Sequence, residues 1–175
     1  MPLNPTSDDH TAMNRFGQLL TPSRVQCRNV VGSKKRAFEM LSELVSKDEP
    51  ALNQTEVFTS LIERERLGCT GLGHGVAIPH GRLKGLKHAV CAFMKLNQGV
   101  DYDAADKKAV DMLCALLVPE QSTSEHLEIL ATLAEMFSDP AFCARLHAAK
   151  SGEEVYQLLV SWQPTEQERA AGPAT

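Results

Sequence analysis

The 175-residue sequence has few aromatic residues, no closely spaced cysteine pair and no long apolar run. Aromatic residues make up 5% of the chain, so the core must consist mainly of Leu, Val, Ala, Ile and Met. The wide spacing and odd number of the cysteines argue against a disulfide framework or a cysteine-rich zinc site, and they favour a reducing compartment. These five cysteines are Cys27, Cys69, Cys91, Cys114 and Cys143.

The sequence also lacks the marks of a secreted, membrane or nucleic-acid-binding protein. Residues 1–16 contain no apolar segment of the kind a secretory signal needs. The longest apolar run, residues 112–118, is far shorter than the roughly 20 residues that span a bilayer. The net charge of −4 argues against a nucleic-acid partner, which usually selects a basic domain. We therefore expect a cytoplasmic protein without membrane insertion.

Acidic residues are missing between Arg66 and Val100, a stretch rich in glycine and basic side chains. An anion would be attracted to such a segment, and phosphate is the anion that glycine-rich turns and arginines commonly bind. The alternative is a chance excess of positive charge on a solvated loop. The stretch contains five cations and three histidines: Arg66, Arg82, Lys84, Lys87, Lys95, His74, His80 and His88.

Alternating helix and strand patterns predict an α/β layered fold. Residues 33–48 have the apolar period of a helix with Ser33 as N-cap, and Asn53 or Thr55 begins a second helix that ends near Gly68. Three segments read as strands and three more as helices: residues 23–27, 89–96 and 109–120, then 122–139, 140–150 and 151–162.

Both ends of the chain are polar and irregular. We expect flexible tails over residues 1–18 and 163–175. The length between them, residues 19–162, fits a single domain with a substantial core.

The segment GHGVAIPHG, residues 73–81, ends an apolar strand-like run with a proline and a histidine. Pro79 should end the strand or place it at a sheet edge. If the strand stops there, the chain turns at His80, and Gly81 lets the backbone turn. A neutral imidazole there is a nucleophile near pH 7 and can accept a phosphoryl group on one ring nitrogen. The alternative is a surface histidine in a turn.

A second histidine is predicted near a strand–helix junction. Ser122 and Glu125 form a capping-box pattern, which predicts a helix that begins just before His126. His126 then falls on the apolar helix face with Leu133 and Phe137 and points inward. Ligand sites in α/β sheets favour such junctions. The alternative is a core histidine that forms an ordinary hydrogen bond.

Arg64 and Arg66 lie at the end of the second predicted helix, where cations are favourable. One of them could reach a phosphoryl group on His80, because an arginine fork stabilises charge on transferring oxygens. Zinc bound by His74, His80 and His126 is a further alternative. The stretch offers no carboxylate ligand and the chain has no HExxH motif, so the metal reading is disfavoured.

Residues 63–85, ERERLGCTGLGHGVAIPHGRLKG, closely resemble the phosphorylation-site motif of the fructose–mannitol type IIA proteins of the bacterial phosphotransferase system. Within that family they are most similar to the nitrogen-related regulatory members. The resemblance implies a mixed β-sheet with helices on both faces. It also implies that His80 accepts the phosphoryl group, that His126 assists and that Arg64 stabilises the phosphoryl oxygens. His74 stands where the nitrogen-type motif often has Asn.

The resemblance further implies a phosphotransferase that needs no metal and no organic cofactor. Its donor would be a small HPr- or NPr-type phosphocarrier protein. We expect an apolar rim around His80 to suit the docking of that donor, and Leu72, Val76 and Leu83 are candidates for it. We expect a regulator of target proteins such as kinases or transporters, in nitrogen and potassium regulation. A sugar-specific IIA transport component and a non-catalytic binding domain of the same fold are the alternatives. The sequence leaves the oligomeric state open.

Overall fold

The computed structural model describes residues 15–122 and 124–164. Within these ranges two short 3-10 helices, Arg15–Gln18 and Pro22–Arg24, precede the first strand. The α-helices are α1 (Lys34–Ser46), α2 (Gln54–Leu67), α3 (Ser124–Phe137), α4 (Pro140–Ala148) and α5 (Gly152–Ser161). The strands are β1 (Val25–Asn29), β2 (Gly71–Gly73), β3 (Val76–Ala77), β4 (His80–Leu83), β5 (Val90–Val100) and β6 (Val110–Pro119).

The strands form one mixed sheet in the order β1-β5-β6-β3-β2. β5 is antiparallel to β6 and parallel to β1. β3 and β4 follow one another along the other edge of β6, and both are parallel to it. Pro79 stands between them, and its carbonyl accepts a hydrogen bond from the Leu116 N–H (3.0 Å). In the described part of the chain β4 pairs with β6 alone, which leaves its other edge open.

An apolar core lies on each face of this sheet. Helices α1 and α2 cover one face, and α3, α4 and α5 cover the other. Successive residues of β6 contribute to opposite cores: Leu113 faces α1 and α2, whereas Cys114 faces the other helices. Burial on both faces explains why β6 reads as a continuous apolar run instead of an alternating one.

The predicted mixed sheet with helices on both faces is confirmed. The two predicted helix starts are also confirmed. Ser33 Oγ accepts a hydrogen bond from the Arg36 N–H, and Asn53 Oδ1 accepts one from the Thr55 N–H. No helix in the described ranges has the length and apolar character needed to cross a bilayer.

The predicted N-terminal tail is too long. Residues 15–18 form a 3-10 helix, and the Phe16 side chain is 3% exposed because it packs into the core beneath α3 and α5. The first strand also begins later than predicted, at Val25. Residues 1–14 and 165–175 lie outside the described residues, so the rest of the tail prediction stays a prediction.

The chain around Pro79 differs from the prediction in one respect. β3 ends before Pro79, but the chain does not turn away at His80, because β6 continues to pair with it from His80 to Leu83. The helix after β6 begins at Ser124, just before His126 as predicted. The N–H of Ser122 donates to the Pro119 carbonyl in the turn that precedes the helix (3.0 Å).

Candidate functional site

His80 is the first residue of β4, at the open edge of the sheet. His80 pairs with Leu116 of β6 and is 7% exposed. The strand therefore fixes the backbone of His80, while the open edge gives side chains from α2 and α3 access to the ring. The sequence predicts His80 at the end of a strand, whereas in the structure it lies at the start of one.

The hydrogen bonds of the His80 ring select one tautomer. Nδ1 lies 2.8 Å from the carbonyl oxygen of Ile78, and a carbonyl can only accept, so Nδ1 carries the proton. Nε2 accepts a hydrogen bond from Nε–H of Arg64 (3.1 Å). The free electron pair of the imidazole is thus on Nε2 and points at a guanidinium group.

Arg64 reaches His80 from the last turn of α2. Its Nη1–H also donates to the Gly68 carbonyl (2.8 Å), which holds the guanidinium group across the helix end. One turn earlier, Ser60 Oγ donates to the Arg82 carbonyl (2.8 Å). A Cβ atom at Gly81 would overlap Ser60 Oγ, so the glycine permits the close approach of α2 to β4. Arg66, the other predicted candidate, is exposed.

His126 faces His80 from the first turn of α3. The two ring centroids are 5.5 Å apart, and the ring planes meet at 67°. His126 is 8% exposed, and neither of its ring nitrogens has a hydrogen-bond partner among the described residues. Because the ring also lines the cleft, its nitrogens can bond a polar group that enters the site.

Burial lowers the pKa of both histidines. At His80 the hydrogen bond to the Ile78 carbonyl raises the pKa, whereas the positive charge of Arg64 lowers it further. The pKa of His80 remains below its ordinary value. Burial lowers the pKa of His126, and the neighbouring His80 and the positive charges of Arg82 and Arg64 lower it further, because each disfavours a second cation there. Both rings are therefore neutral near pH 7, the state in which an imidazole is nucleophilic.

A cleft of about 430 Å³ opens onto the two histidines. Its lining combines side chains of α2, β4 and α3: Ser60, Glu63, Arg64, Leu67, His80, Gly81, Arg82 and His126. Leu67 is 86% exposed at this cleft, and Leu127, next to His126, is 67% exposed. The predicted apolar rim is wrong for Val76 and Leu83, which are buried in the two cores, and Leu72 alone of the three is exposed.

Sequence reasoning did not identify Arg82 as a site residue. His80 and Arg82 are two apart in β4, so their side chains lie on the same face of the strand. Arg82 is exposed and lines the cleft, and it is one of the charges that lower the pKa of His126. The strand period of two could have revealed it once β4 was recognised as a strand. Two guanidinium groups, those of Arg64 and Arg82, thus line the cleft together with His80.

His74 lies in a different cleft, with Cys143 and His147. It is exposed, and its backbone N–H donates to Asp106 Oδ2 (2.9 Å). The structure therefore does not bring together the three histidines of the zinc alternative. In residues 15–122 and 124–164 no cluster of three or more His, Cys, Asp or Glu side chains could hold a metal ion.

Known proteins are similar to this chain in sequence and in fold. A family model described as phosphoenolpyruvate-dependent sugar phosphotransferase system, EIIA 2, matches residues 18–162. A Pseudomonas aeruginosa protein named nitrogen regulatory protein is 42% identical over 151 residues, which cover 86% of this chain and 98% of that protein. The crystal structure of nitrogen regulatory protein IIA-Ntr from Neisseria meningitidis is 44% identical, with a TM-score of 0.78 over 83% of this chain and 99% of that chain. IIA mannitol from Escherichia coli shares the fold at 22% identity, with a TM-score of 0.67 over 79% of this chain and 97% of that chain.

Proposed function

The chain belongs to the EIIA 2 family of the phosphoenolpyruvate-dependent sugar phosphotransferase system, and from this premise we propose that it carries a phosphoryl group on Nε2 of His80. One observation carries the proposal: the Ile78 carbonyl fixes the proton on Nδ1, which leaves the electron pair of Nε2 in the cleft. The lowered pKa of His80 keeps that electron pair available at neutral pH.

In the proposed reaction Nε2 of His80 attacks the phosphorus of a phosphohistidine on a small HPr- or NPr-type phosphocarrier. A new N–P bond forms, the donor's N–P bond breaks, and the donor imidazole leaves with that electron pair. Each ring keeps the proton on its non-reacting nitrogen. Catalysis rests on positioning and on charge stabilisation of the phosphoryl oxygens.

Arg64 has two roles in this scheme. Before transfer, its Nε–H group donates to the electron pair that must attack. The guanidinium group therefore has to leave Nε2 as the phosphorus approaches, and it can then donate to the phosphoryl oxygens in a fork. His126 offers a ring nitrogen without a partner among the described residues, and that nitrogen can donate to another phosphoryl oxygen.

The relatives with 42–44% identity are named nitrogen regulatory proteins, which supports a regulatory role for this chain. Phosphorylation adds a charge of about −1.5 to −2 at the centre of the cleft. The exposed Leu67 lines the same cleft, so one surface presents two distinct states to a partner. We expect the unphosphorylated and phosphorylated forms to differ in affinity for target proteins such as kinases or transporters in nitrogen and potassium regulation.

Intact-mass analysis with phosphoenolpyruvate, enzyme I and the phosphocarrier tests this function. We expect the wild-type chain to gain one acid-labile phosphoryl mass, and His80→Ala to gain none. The matched control is His74→Ala, which removes an exposed histidine from the same segment and should leave the mass gain intact. If the wild-type chain gains no mass from a competent donor, the carrier function is wrong and the non-catalytic binding domain becomes the better interpretation.

A further inference from the structure

Glu65 follows Arg64 in α2 but points into the protein. Its side chain is 7% exposed. The carboxylate accepts three hydrogen bonds: from Nζ of Lys34 (2.8 Å), from the backbone N–H of Thr70 (3.0 Å) and from the Thr70 hydroxyl (2.6 Å). Because the Thr70 hydroxyl donates its single proton to Glu65, the Tyr102 hydroxyl, 2.8 Å away, must donate to Thr70.

This buried carboxylate stays ionised. Burial raises the pKa of Glu65, but the hydrogen bonds from Lys34 and Thr70 together outweigh it and leave the pKa below the ordinary value. Lys34 is in turn held by two contacts with Tyr102, whose carbonyl accepts from Nζ (3.1 Å) and whose ring lies 4.0 Å from it. Helix α1, helix α2 and the loop after β5 therefore converge on Glu65.

A hydrogen-bonded path leads from Glu65 to the reacting histidine. The carbonyl of Thr70 accepts from the backbone N–H of Ile78 (3.0 Å), next to the β2–β3 pairing. The carbonyl of that same Ile78 accepts from Nδ1 of His80 (2.8 Å). The Ile78 carbonyl, which fixes the tautomer of His80, is thus linked to the Glu65 carboxylate. The link runs from the N–H of Ile78 to Thr70, and from Thr70 to Glu65.

We propose that Glu65 is a positioning residue that fixes both sides of the His80 ring. On the Nδ1 side it acts through Thr70 and the Ile78 carbonyl. On the Nε2 side it fastens the last turn of α2 and so sets the place from which the neighbouring Arg64 reaches the ring. The role in phosphoryl transfer rests on the proposed function, whereas the effect on the His80 tautomer does not.

The variant Glu65→Gln tests the inference, because it keeps the shape and removes the charge and one acceptor oxygen. The control Glu43→Gln makes the same change at an exposed position of α1. In ¹⁵N-edited NMR spectra we expect wild type and control to show a proton on Nδ1 of His80. The Glu65 variant should show a mixture of both tautomers.

Transfer kinetics give the second measurement. The transfer rate at saturating phosphocarrier should fall about 10- to 100-fold in Glu65→Gln, since small displacements of a reacting group cost that much. The KM for the phosphocarrier should stay unchanged, because Glu65 is buried and does not contact the docking surface. A merely structural role would lower Tm in the variant and leave both the tautomer and the transfer rate as in the wild type.

The outcomes separate this inference from the proposed function. A single Nδ1–H tautomer in a folded Glu65→Gln, with wild-type transfer, overturns the inference and leaves the carrier function in place. A tautomer mixture without phosphorylation of the wild type supports the positioning and contradicts the function. If Glu65→Gln does not fold, Thr70→Val removes the hydroxyl between Glu65 and Tyr102 and keeps the side-chain shape. The same tautomer mixture, with a smaller loss of rate, is then expected, and an unchanged tautomer overturns the inference.

Discussion

Replacing His126 with phenylalanine should stabilise the protein while it slows phosphoryl transfer. His126 is 8% exposed, and its two ring nitrogens have no partner within the described ranges. A buried polar group without a hydrogen bond costs about 1–3 kcal/mol in protein mutational data. Phenylalanine keeps the planar ring, and the adjoining cleft can accommodate its slightly larger volume. We therefore expect the free energy of unfolding of His126→Phe to exceed that of wild type by about 1–3 kcal/mol at pH 8.

The gain should grow as the pH falls. The pKa of His126 in the folded protein is lowered, chiefly by burial, whereas the unfolded chain has the ordinary value of about 6.5. Below that pH the unfolded wild type binds a proton that the folded protein does not, so wild-type stability decreases with acidification. The phenylalanine variant lacks this loss at position 126 and should keep more of its stability, although His80 still contributes to the pH dependence.

Urea unfolding at pH 8 and pH 6 measures both effects. In a thermal melt at pH 8, a stability gain of about 1–3 kcal/mol should raise Tm by roughly 2–12 °C in a protein of this length. The same variant should transfer the phosphoryl group about 100-fold more slowly, as expected when one positioned donor to the reacting oxygens is lost. A variant that is less stable than wild type at both pH values would refute the reasoning, because it would mean that the ring nitrogens are satisfied.

Three further changes follow from the geometry. Gly81→Ala should destabilise the fold by about 1–3 kcal/mol in urea unfolding, since its Cβ atom would overlap Ser60 Oγ and lie 3.1 Å from the Ser60 carbonyl; unchanged stability would show that α2 moves away freely. Lys95→Met should cost about 3 kcal/mol or more, because the buried Nζ donates to three carbonyls at the end of α4 at 2.7–2.9 Å; a thermal melt that matches wild type would contradict this. Arg82→Gln should lower the transfer rate about tenfold at low ionic strength and less at high salt. The control Lys84→Gln, at a neighbouring exposed position, should change the rate little. Equal effects of the two variants would argue against a specific role for Arg82.

The parts of the fold that depend on local sequence could be predicted. Ser33 and Asn53 cap their helices through contacts with residues two or three positions away, so the sequence contains the whole interaction. Pro79 shows the limit of such reasoning. A proline usually ends a strand, but the distant strand β6 supplies partners on both sides of it, and that pairing outweighs the local preference.

The residues of the candidate site could be predicted from the sequence, but the contacts that hold them in place could not. The motif around His80, with Arg64 upstream and His126 downstream, identifies three side chains that the structure brings together. Arg82 was missed because the strand β4 was not expected to continue past Pro79. The path from Glu65 to the Ile78 carbonyl depends on contacts between elements that no local period reveals.

The close contact between Gly81 and α2 predicts which mutations should share a phenotype. Ser60 and Arg64 are four residues apart on α2, so the residue that touches Gly81 and the residue that reaches His80 lie one helical turn apart on one face. Any substitution that adds a β-carbon at position 81 pushes on that helix and so displaces the guanidinium group above it. In a genetic screen for loss of the proposed carrier function, alleles at codon 81 should therefore cluster with alleles of Arg64, although glycine has no side chain that could contact a phosphoryl group.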